Sequence, residues 1–329
     1  MRSSILNVLR KNQGEYISGE EISRQLMVSR TAIWKHIRAL KQDGYLIEAH
    51  PRRGYCLSEL PDLLLPDEIK NDLSTQVLGK EIYWFDSIDS TSNEAKKLAA
   101  AGCPEGTLVL AEAQCTGRGR LARGWFSPRG KGIWLSVVLR PPFQPYDAPK
   151  CTLMTAVALT RAIRRATGVP CGIKWPNDIL YNGKKVVGIL TEMSAEMDAI
   201  NYVVLGMGTN VNIAADEFPD ELAGIATSLA EAAGRPFCRK TLLKEILAEL
   251  ETVYLEVSRS GFDSILKEWR RLSVTLGQTV QVVGPDKQFS GLAVDIDASG
   301  ALLVQTDGSL ETVIAGDVSI RPAMSEKSK

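Results

Sequence analysis

A run of arginines and glycines between two apolar segments is the part of the sequence best suited to chemistry. Residues 117–125 (GRGRLARGW) hold three arginines and three glycines between the apolar runs 107–113 and 133–139, which are typical of buried strands. Glycine lets backbone N–H groups approach a ligand closely, and arginine offers forked, permanently charged donors to carboxylate or phosphate oxygens. The loop is suited to surround a polyanion, and by itself it is equally typical of a solvated basic hairpin. It matches neither a dinucleotide fingerprint nor a Walker P-loop.

A second polar segment points to the same chemistry. Residues 174–178 (KWPND) lead through the hairpin signal Asn182-Gly183 into an apolar strand that begins at Val186, and Lys185 lies at the mouth of that strand. A lysine at such a position is usually a solvated surface residue. The neighbouring Asn-Asp pair and the arginine loop favour an anion-binding site instead.

Small and polar residues elsewhere could face the same ligand. Ser90, Thr91 and Ser92 stand at the start of a predicted helix. Hydroxyls there normally cap the helix, but they could also hydrogen-bond the polar head of a ligand. Gly206 and Gly208 lie in an apolar predicted strand, where they either allow close packing against a flat ligand or mark a bulge.

The N-terminal segment predicts three short amphipathic helices followed by two strands. A capping box from Ser18 to Glu21 begins the second helix, and the third places Ile33 and Ile37 on its inner face. The opposite face and the tip of the following hairpin are polar and basic. The residues that we expect to contact DNA are Arg30, Thr31, Trp34, Lys35, Arg38, Arg52 and Arg53. The pattern predicts a winged helix-turn-helix, for which DNA binding is favoured over contacts with proteins alone.

Composition and turn signals predict a multidomain α/β chain. A proline-containing linker separates the winged helix from an α+β domain with a mixed sheet, which should open with a helix over 67–78 and carry a polar loop over 212–224. Short strands after Gly277 predict a small SH3-like β-barrel. The expected bounds are 1–60 for the winged helix-turn-helix, 61–66 for the linker, 67–272 for the central domain and 273–329 for the barrel.

The charge distribution and the spacing of the cysteines limit the classes of protein to which this sequence can belong. The chain has 329 residues and no net charge, but residues 1–60 carry ten Lys/Arg against six Asp/Glu, a charge of +4, which leaves −4 on the remainder. A nucleic-acid-binding head on an acidic body has this asymmetry. The six cysteines show no C-x-x-C spacing and there are only two histidines, so we expect reduced thiols and no zinc site. Without a signal peptide or an apolar run of membrane-spanning length, a cytoplasmic location is expected.

The order of the motifs resembles one family. Ser90-Thr91-Ser92-Asn93, Gln114, the arginine loop with Trp125, the KWPND segment and Lys185 with Gly188 occur as in the biotin protein ligases, and the N-terminal winged helix is similar to that of the bifunctional ligase/repressors. The sequence departs from the family where Leu121-Ala122 replaces a frequent Arg-Gly. In the adenine-covering loop, Ile225 or a neighbour replaces an aromatic residue of some relatives.

The resemblance implies roles for individual residues. Lys185, Arg120 and Asp178 are expected to be catalytic. Biotin is expected to contact Ser90, Thr91, Ser92, Gln114, Arg118, Gly119, Arg120 and Lys185. ATP and the adenylate are expected to contact Arg118, Arg120, Arg123, Trp125, Asn177 and Asn210. Asn177, Asp178 and Asn210 are in positions for Mg²⁺, nucleotide or acyl-transfer roles. No protein ligand to the metal is assigned, because Mg²⁺ would arrive with ATP.

The implied reaction joins biotin to a lysine of a biotin carboxyl carrier protein through biotinyl-5′-AMP. That adenylate would also be the corepressor, promoting a homodimer that binds operator DNA, with no membrane partner. Two alternatives stay open at this point. One is a lipoate-type ligase of the same fold, and the other is a transcription factor that senses biotin without catalysis.

Overall fold

A computed structural model describes residues 1–42, 44–59, 62–196, 199–283, 288–314 and 319–322. Residue 61 of the expected linker, and residues 284–287, 315–318 and 323–329 of the expected barrel, lie outside the described residues. The chain forms two compact units, Met1–Leu63 and Leu64–Lys329. The domain bounds expected within the second unit stay predictions. No helix of the described residues is long and apolar enough to cross a membrane.

The first unit is three helices and a two-stranded hairpin. Its elements are α1 (Arg2–Lys11), α2 (Gly19–Leu26), α3 (Arg30–Gln42), β1 (Leu46–His50) and β2 (Gly54–Glu59). The predicted cap is present, because the Glu21 N–H donates to Ser18 Oγ at 3.0 Å. Ile5, Ile22 and Ile33 are fully buried between the helices. Their burial leaves the other face of α3 exposed, as a winged helix-turn-helix requires.

A seven-stranded sheet is the centre of the second unit. In spatial order its strands are β3 (Ile82–Phe85), β4 (Leu108–Ala111), β5 (Gly132–Leu139), β9 (Ala199–Asn210), β8 (Lys184–Glu196), β7 (Asp178–Tyr181) and β6 (Gly172–Lys174). Only the β3–β4 pairing is parallel, so the sheet is mixed, as predicted. The pleat sends alternate residues to opposite faces. Leu108 and Leu110 join the main core, whereas Val109 joins a smaller cluster on the other face.

Helices cover both faces of this sheet. They are α4 (Pro66–Lys70), α5 (Thr91–Ala100), α6 (Ala148–Thr167), α7 (Asp220–Ala223), α8 (Leu229–Ala233), α9 (Arg239–Ser260) and α10 (Asp263–Leu272). Residues of α6, α9 and α10 form the main core, and α5 covers the smaller cluster. The start of α5 and the ends of the central strands therefore meet on one side of the sheet.

The helix predicted over 67–78 is wrong in length, because α4 ends at Lys70. Backbone N–H groups of Gln76, Val77 and Leu78 donate to the Glu251 carboxylate at 2.6, 2.7 and 2.8 Å. A buried carboxylate of α9 thus satisfies donors that a helix would have satisfied internally, and the segment stays irregular.

Buried charge attaches the start of the second unit to its sheet. The Leu64 N–H donates to Glu112 Oε1 at 2.7 Å, and Arg239 Nη1 lies 2.9 Å from Glu112 Oε2. Both charged side chains are almost completely buried. Removing either partner would leave an uncompensated buried charge, so the pair fixes this contact.

The C-terminal region is a five-stranded antiparallel sheet. Its order is β13 (Leu310–Val313), β12 (Leu302–Gln305), β11 (Gln288–Ile296), β10 (Thr279–Val283) and β14 (Ser319–Pro322). Trp175 Nε1 donates to the Gly300 carbonyl at 3.0 Å, and the Trp175 N–H donates to Thr275 Oγ1 at 2.9 Å. The small sheet therefore supports the KWPND turn from behind.

Candidate active site and nucleic-acid interface

One pocket of about 830 Å³ collects most of the predicted ligase residues. It lies between the arginine loop (residues 117–125), the KWPND turn and the central strands. Of the predicted biotin, nucleotide and catalytic residues, those lining it are Thr91, Ser92, Gln114, Arg118, Gly119, Arg120, Arg123, Trp125, Asn177, Asp178, Lys185 and Asn210. Ser90 is not among the lining residues. It is 1% exposed and serves as the N-cap residue of α5, without a side-chain capping bond.

A neutral hydrogen-bonding network forms one wall of the pocket. Gln114 Oε1 accepts from the Thr91 N–H at 2.9 Å and from Thr91 Oγ1 at 3.2 Å. Gln114 Nε2 donates to Ser127 Oγ at 2.9 Å, and Ser136 Oγ lies 3.1 Å from Ser92 Oγ. The network orients several donors and acceptors without adding charge, which suits a neutral polar ligand group.

Ser127 and Ser136 were missed by the sequence analysis. Ser136 is a single hydroxyl residue within the apolar strand β5, and it is fully buried. A polar residue in an otherwise apolar strand needs a partner, which was the available signal. Ser127 gave no comparable signal, since it lies in an irregular segment.

A lysine and a carboxylate form the charged end of the pocket. Lys185 Nζ lies 2.8 Å from Asp178 Oδ2, and the Asp178 side chain is only 14% exposed. Asp178 Oδ1 is buried and has no hydrogen-bond partner in the part of the chain that the structure describes. The Lys185 N–H donates to the Ile225 carbonyl at 2.8 Å, and the Lys185 carbonyl accepts from the Thr227 N–H at 2.9 Å. The backbone of the lysine is thereby held by the segment that covers the pocket.

The segment beside Lys185 corresponds to the predicted polar loop 212–224 and the residues just after it. It contains a 3₁₀ turn over Ala215–Glu217 and the short helix α7. Phe218, Leu222 and Ile225 from this region line the pocket. The cover thus combines one aromatic ring with aliphatic side chains, and Phe218 packs against Phe126 with ring centroids 6.3 Å apart.

Two of the three arginines of the loop, Arg118 and Arg120, have different surroundings. Arg120 Nη1 donates to Asn177 Oδ1 at 3.1 Å and so connects the loop with the KWPND turn. Arg118 Nη1 donates to Asn93 Oδ1 at 2.8 Å and to Glu192 Oε1 at 3.2 Å, on the α5 side. Leu121 is 59% exposed and has φ +55°, a left-handed conformation that is uncommon for a residue with a side chain.

Trp125 lies across two glycines of the pocket floor. A Cβ atom at Gly188 would approach the indole to 2.6 Å, and one at Gly208 would approach it to 2.3 Å. The flat group that packs on Gly208 is the protein's own indole, whereas the sequence predicted a flat ligand at Gly206 and Gly208; Gly206 lies against Ser92 Oγ. No register shift occurs at Gly206 or Gly208, so these glycines do not mark a bulge.

Within the described residues, no group of three or more His, Cys, Asp or Glu side chains is arranged to hold a metal ion. The cysteines among those residues are unpaired thiols. Burial raises the pKa of Cys171 to about 11, which keeps that thiol protonated near neutral pH.

The basic face of the first unit is largely open. Trp34 on α3 is 55% exposed, and the Arg38 guanidinium lies 5.7 Å from its ring centroid. At the hairpin, the Arg53 guanidinium lies 4.0 Å from the Tyr16 ring centroid. Tyr16 donates to Glu48 Oε2 at 2.5 Å, which raises the pKa of Tyr16 and lowers that of Glu48. Arg30, Thr31, Lys35 and Arg52 also lie on the exposed side of the helix or at the hairpin turn.

Models of three known families match parts of this chain. Residues 84–210 match the biotin/lipoate A/B protein ligase family, residues 2–56 match a helix-turn-helix domain, and residues 275–321 match the biotin protein ligase C-terminal domain. The order of the three matches agrees with the winged helix, the mixed sheet and the small antiparallel sheet.

Whole-chain relatives agree with this order. The chain is 42% identical over 320 residues to the bifunctional ligase/repressor BirA of Bacillus spizizenii, covering 97% of this chain and 98% of that protein. It is 30% identical to the protein of the same name from Escherichia coli, with 94% of each chain covered. A solved biotin protein ligase from Aquifex aeolicus, in complex with biotin and ATP, is similar with a TM-score of 0.65 and 28% identity, over 74% of this chain and all of that one.

The fold and site define a ligase with an attached helix-turn-helix unit. The chain belongs to the biotin/lipoate A/B protein ligase family, and its resemblance to the bifunctional ligase/repressors extends over nearly its whole length.

Proposed function

We propose that this protein is an ATP-dependent biotin protein ligase that also represses transcription. The observation that carries the ligase half is the pocket itself. Its lining combines the neutral Thr91–Gln114 network, the cations Lys185 and Arg120, and apolar side chains. Biotin has matching groups: a neutral polar ring, an aliphatic chain and a carboxylate.

The first step would activate the biotin carboxylate. An oxygen of the carboxylate attacks the α-phosphorus of ATP. The bond between the α-phosphorus and the oxygen that bridges to the β-phosphate breaks, and pyrophosphate leaves with the electron pair. Negative charge accumulates where these groups meet, so positioned cations supply the stabilisation. Lys185, Arg120 and Arg123 line the pocket, and they are the residues that we assign to this role.

The second step would transfer biotin to an acceptor lysine. The neutral amine attacks the carbonyl carbon of the mixed anhydride, forming the amide and releasing AMP. The acceptor lysine is an ammonium near neutral pH, so it must first lose a proton to become that amine, and a carboxylate within reach can receive the proton. Asp178 is suited to this because Oδ2 pairs with Lys185 while the buried Oδ1 retains free acceptor capacity among the described residues.

Magnesium fits this site as a companion of ATP. It prefers oxygen ligands and usually keeps several waters, with one or two carboxylates and the substrate phosphates completing its shell. Asp178 and Asn177 are the oxygen-bearing residues beside Lys185 that could contact it. When bound, the ion would neutralise charge on the phosphate oxygens.

The repressor half rests on the exposed basic face of α3. A single helix-turn-helix unit reads only a short half-site, so operator binding needs two copies acting together. We propose a homodimer that forms when biotinyl-AMP occupies the pocket. The adenylate can favour that dimer only by binding the dimer-competent state more tightly.

The experiment supplies ATP with labelled biotin or lipoate and a biotin carboxyl carrier domain. Biotin-dependent pyrophosphate exchange followed by acceptor labelling is the expected result. Lipoate transfer would favour the alternative, a lipoate-type ligase, which the matched family also includes. Binding without pyrophosphate release would indicate a sensor. Sedimentation with and without biotinyl-AMP, beside operator titration, tests the dimer.

A further inference from the structure

The side chain of Arg118 is directed to a cluster beside the pocket. Its guanidinium donates to Asn93 Oδ1 at 2.8 Å and to Glu192 Oε1 at 3.2 Å. Glu192 does not line the pocket. Arg120, two residues along the same loop, instead bonds Asn177 within the pocket wall. The two arginines of the Gly-Arg-Gly-Arg segment are therefore engaged on different sides of the loop.

The side chains of this cluster are arranged to bind the positively charged Arg118 guanidinium. Lys96 Nζ lies 2.8 Å from Glu192 Oε1, so one carboxylate faces two positive groups. Glu192 Oε2 is buried with no hydrogen-bond partner among the described residues. Asn93 is itself oriented, because its Nδ2 donates to Asp89 Oδ2 at 3.2 Å and lowers the pKa of that carboxyl. Both contacts of Arg118 thus come from side chains that are fixed in turn.

The cluster connects the loop to the elements that carry the rest of the site. Asn93 belongs to α5, which also carries Thr91 and Ser92 of the neutral wall. Glu192 belongs to β8, which also carries Lys185. A loop fastened to both elements keeps its backbone at a fixed distance from the wall and from the lysine.

We infer that Asn93 and Glu192 are positioning residues that anchor the arginine loop through the Arg118 guanidinium. In this arrangement the Arg118 side chain holds the loop in place, and the backbone of the loop contacts biotin. The phosphate is contacted by Lys185, Arg120 and Arg123. This inference rests on the proposed ligase function only for its catalytic readout. The anchor itself consists of contacts within the protein.

The test compares Glu192→Gln and Asn93→Ala in the full-length protein. Trypsin cleavage after Arg120 and Arg123 reports the anchor without any substrate, because an unfastened loop reaches the protease more often. We expect cleavage roughly two- to fivefold faster, the range of coupling for a partly exposed charged pair. The KM for biotin should rise by a similar factor, while kcat for pyrophosphate exchange and thermal unfolding stay near wild type.

One variant serves as the matched control. Glu196→Gln removes a carboxylate from an exposed position of the same strand and should not speed cleavage. The double variant Arg118→Gln with Glu192→Gln should be no worse than Arg118→Gln alone, because both changes remove one interaction.

Additive effects, or unchanged cleavage in Glu192→Gln, would overturn the anchor. So would an Arg118→Gln protein that loses exchange about a hundredfold while Glu192→Gln is normal, since that pattern marks a phosphate ligand. If the wild-type protein shows no biotin-dependent exchange, the proposed function fails while the cleavage comparison still decides the anchor.

Discussion

The two cationic regions of the molecule present their charge in opposite ways. On α3 of the helix-turn-helix unit, Arg30, Lys35 and Arg38 make no ion pair with any described residue. In the ligase pocket, Lys185 is paired with Asp178, and Arg118 beside it is paired with Glu192. DNA is a long polyanion that meets a broad field of solvated cations. A small phosphate needs several cations at one point, and these must be compensated when the pocket is empty.

The largest effect should come from removing the paired lysine of the pocket. Lys185→Ala should lower the rate of biotin-dependent pyrophosphate exchange by ~10²- to 10³-fold, because a donor aimed at developing charge is lost. Lys184→Ala is the matched control, since Lys184 is the exposed neighbour on the same strand. Operator binding without biotin should be unchanged. A folded Lys185→Ala protein with near wild-type exchange would remove the lysine from the mechanism.

Asp178→Asn sharpens the comparison because it distinguishes two roles of Asp178. One is to compensate the charge of Lys185, and the other is to accept the proton of the acceptor lysine. As a general base, Asp178 would accelerate transfer by ~10²- to 10⁴-fold. Transfer from purified biotinyl-AMP to the acceptor should therefore slow at least about tenfold more than adenylate formation does. Single-turnover measurements of the two steps supply the ratio. Equal slowing would assign Asp178 to the Lys185 pair or to magnesium alone.

The unpaired cations of α3 should show a smaller effect with a different signature. Arg38→Ala should weaken operator binding and, if the guanidinium meets a phosphate, reduce the slope of log K against log salt by about 1. Pyrophosphate exchange should not change. Lys11→Ala, at the end of α1, is the control for charge outside the proposed interface. An equal loss in the control would indicate general attraction to DNA.

The smallest effect concerns a structural ion pair that belongs to neither of the two cationic regions. Glu268 accepts hydrogen bonds from Arg161, which lower the pKa of Glu268 below 4.5. A depressed folded-state pKa stabilises the protein above the unfolded-state value, and that stability is lost as the pH falls through the folded value. Glu268→Gln should cost about 0.5–1 kcal/mol of unfolding free energy at pH 7, given partial exposure of the pair.

Denaturant titrations at pH 7 and at acidic pH check this dependence. The difference from wild type should shrink as the pH falls from about 4.5 through the lowered folded-state pKa, where the carboxyl of the folded wild-type protein becomes protonated. Glu245→Gln is the comparison variant, because its pair with Arg165 is half exposed and should contribute less. A difference that stays constant with pH would mean that packing, not charge, is responsible.

Sequence patterns predicted the parts of the site that depend on local chemistry. The Arg-Gly loop, the KWPND turn and Lys185 were recognisable because their residue types are unusual between apolar strands, and the structure brings all three to one pocket. Helix and strand types were predictable for long periodic segments, such as α6 and α9. The role of each site residue stays a prediction.

Other features depended on contacts between residues far apart in the chain. The segment after α4 is irregular because Glu251, about 175 positions away, takes its backbone donors. Nothing in the local sequence shows that carboxylate. Ser90 is similar in type to Thr91 and Ser92, yet the first turn of α5 directs only the latter two towards the pocket.

The sequence by itself determined which chemical groups were available and which segments could form helices, strands and turns, because propensity and periodicity act over neighbouring residues. Only the tertiary structure decided where the charged groups of the long arginine side chains are placed. Arg118 and Arg120 have the same side chain two residues apart, but one meets Asn93 and Glu192 and the other meets Asn177. A long charged side chain has many rotamers, and the partners supplied by distant strands and helices select among them.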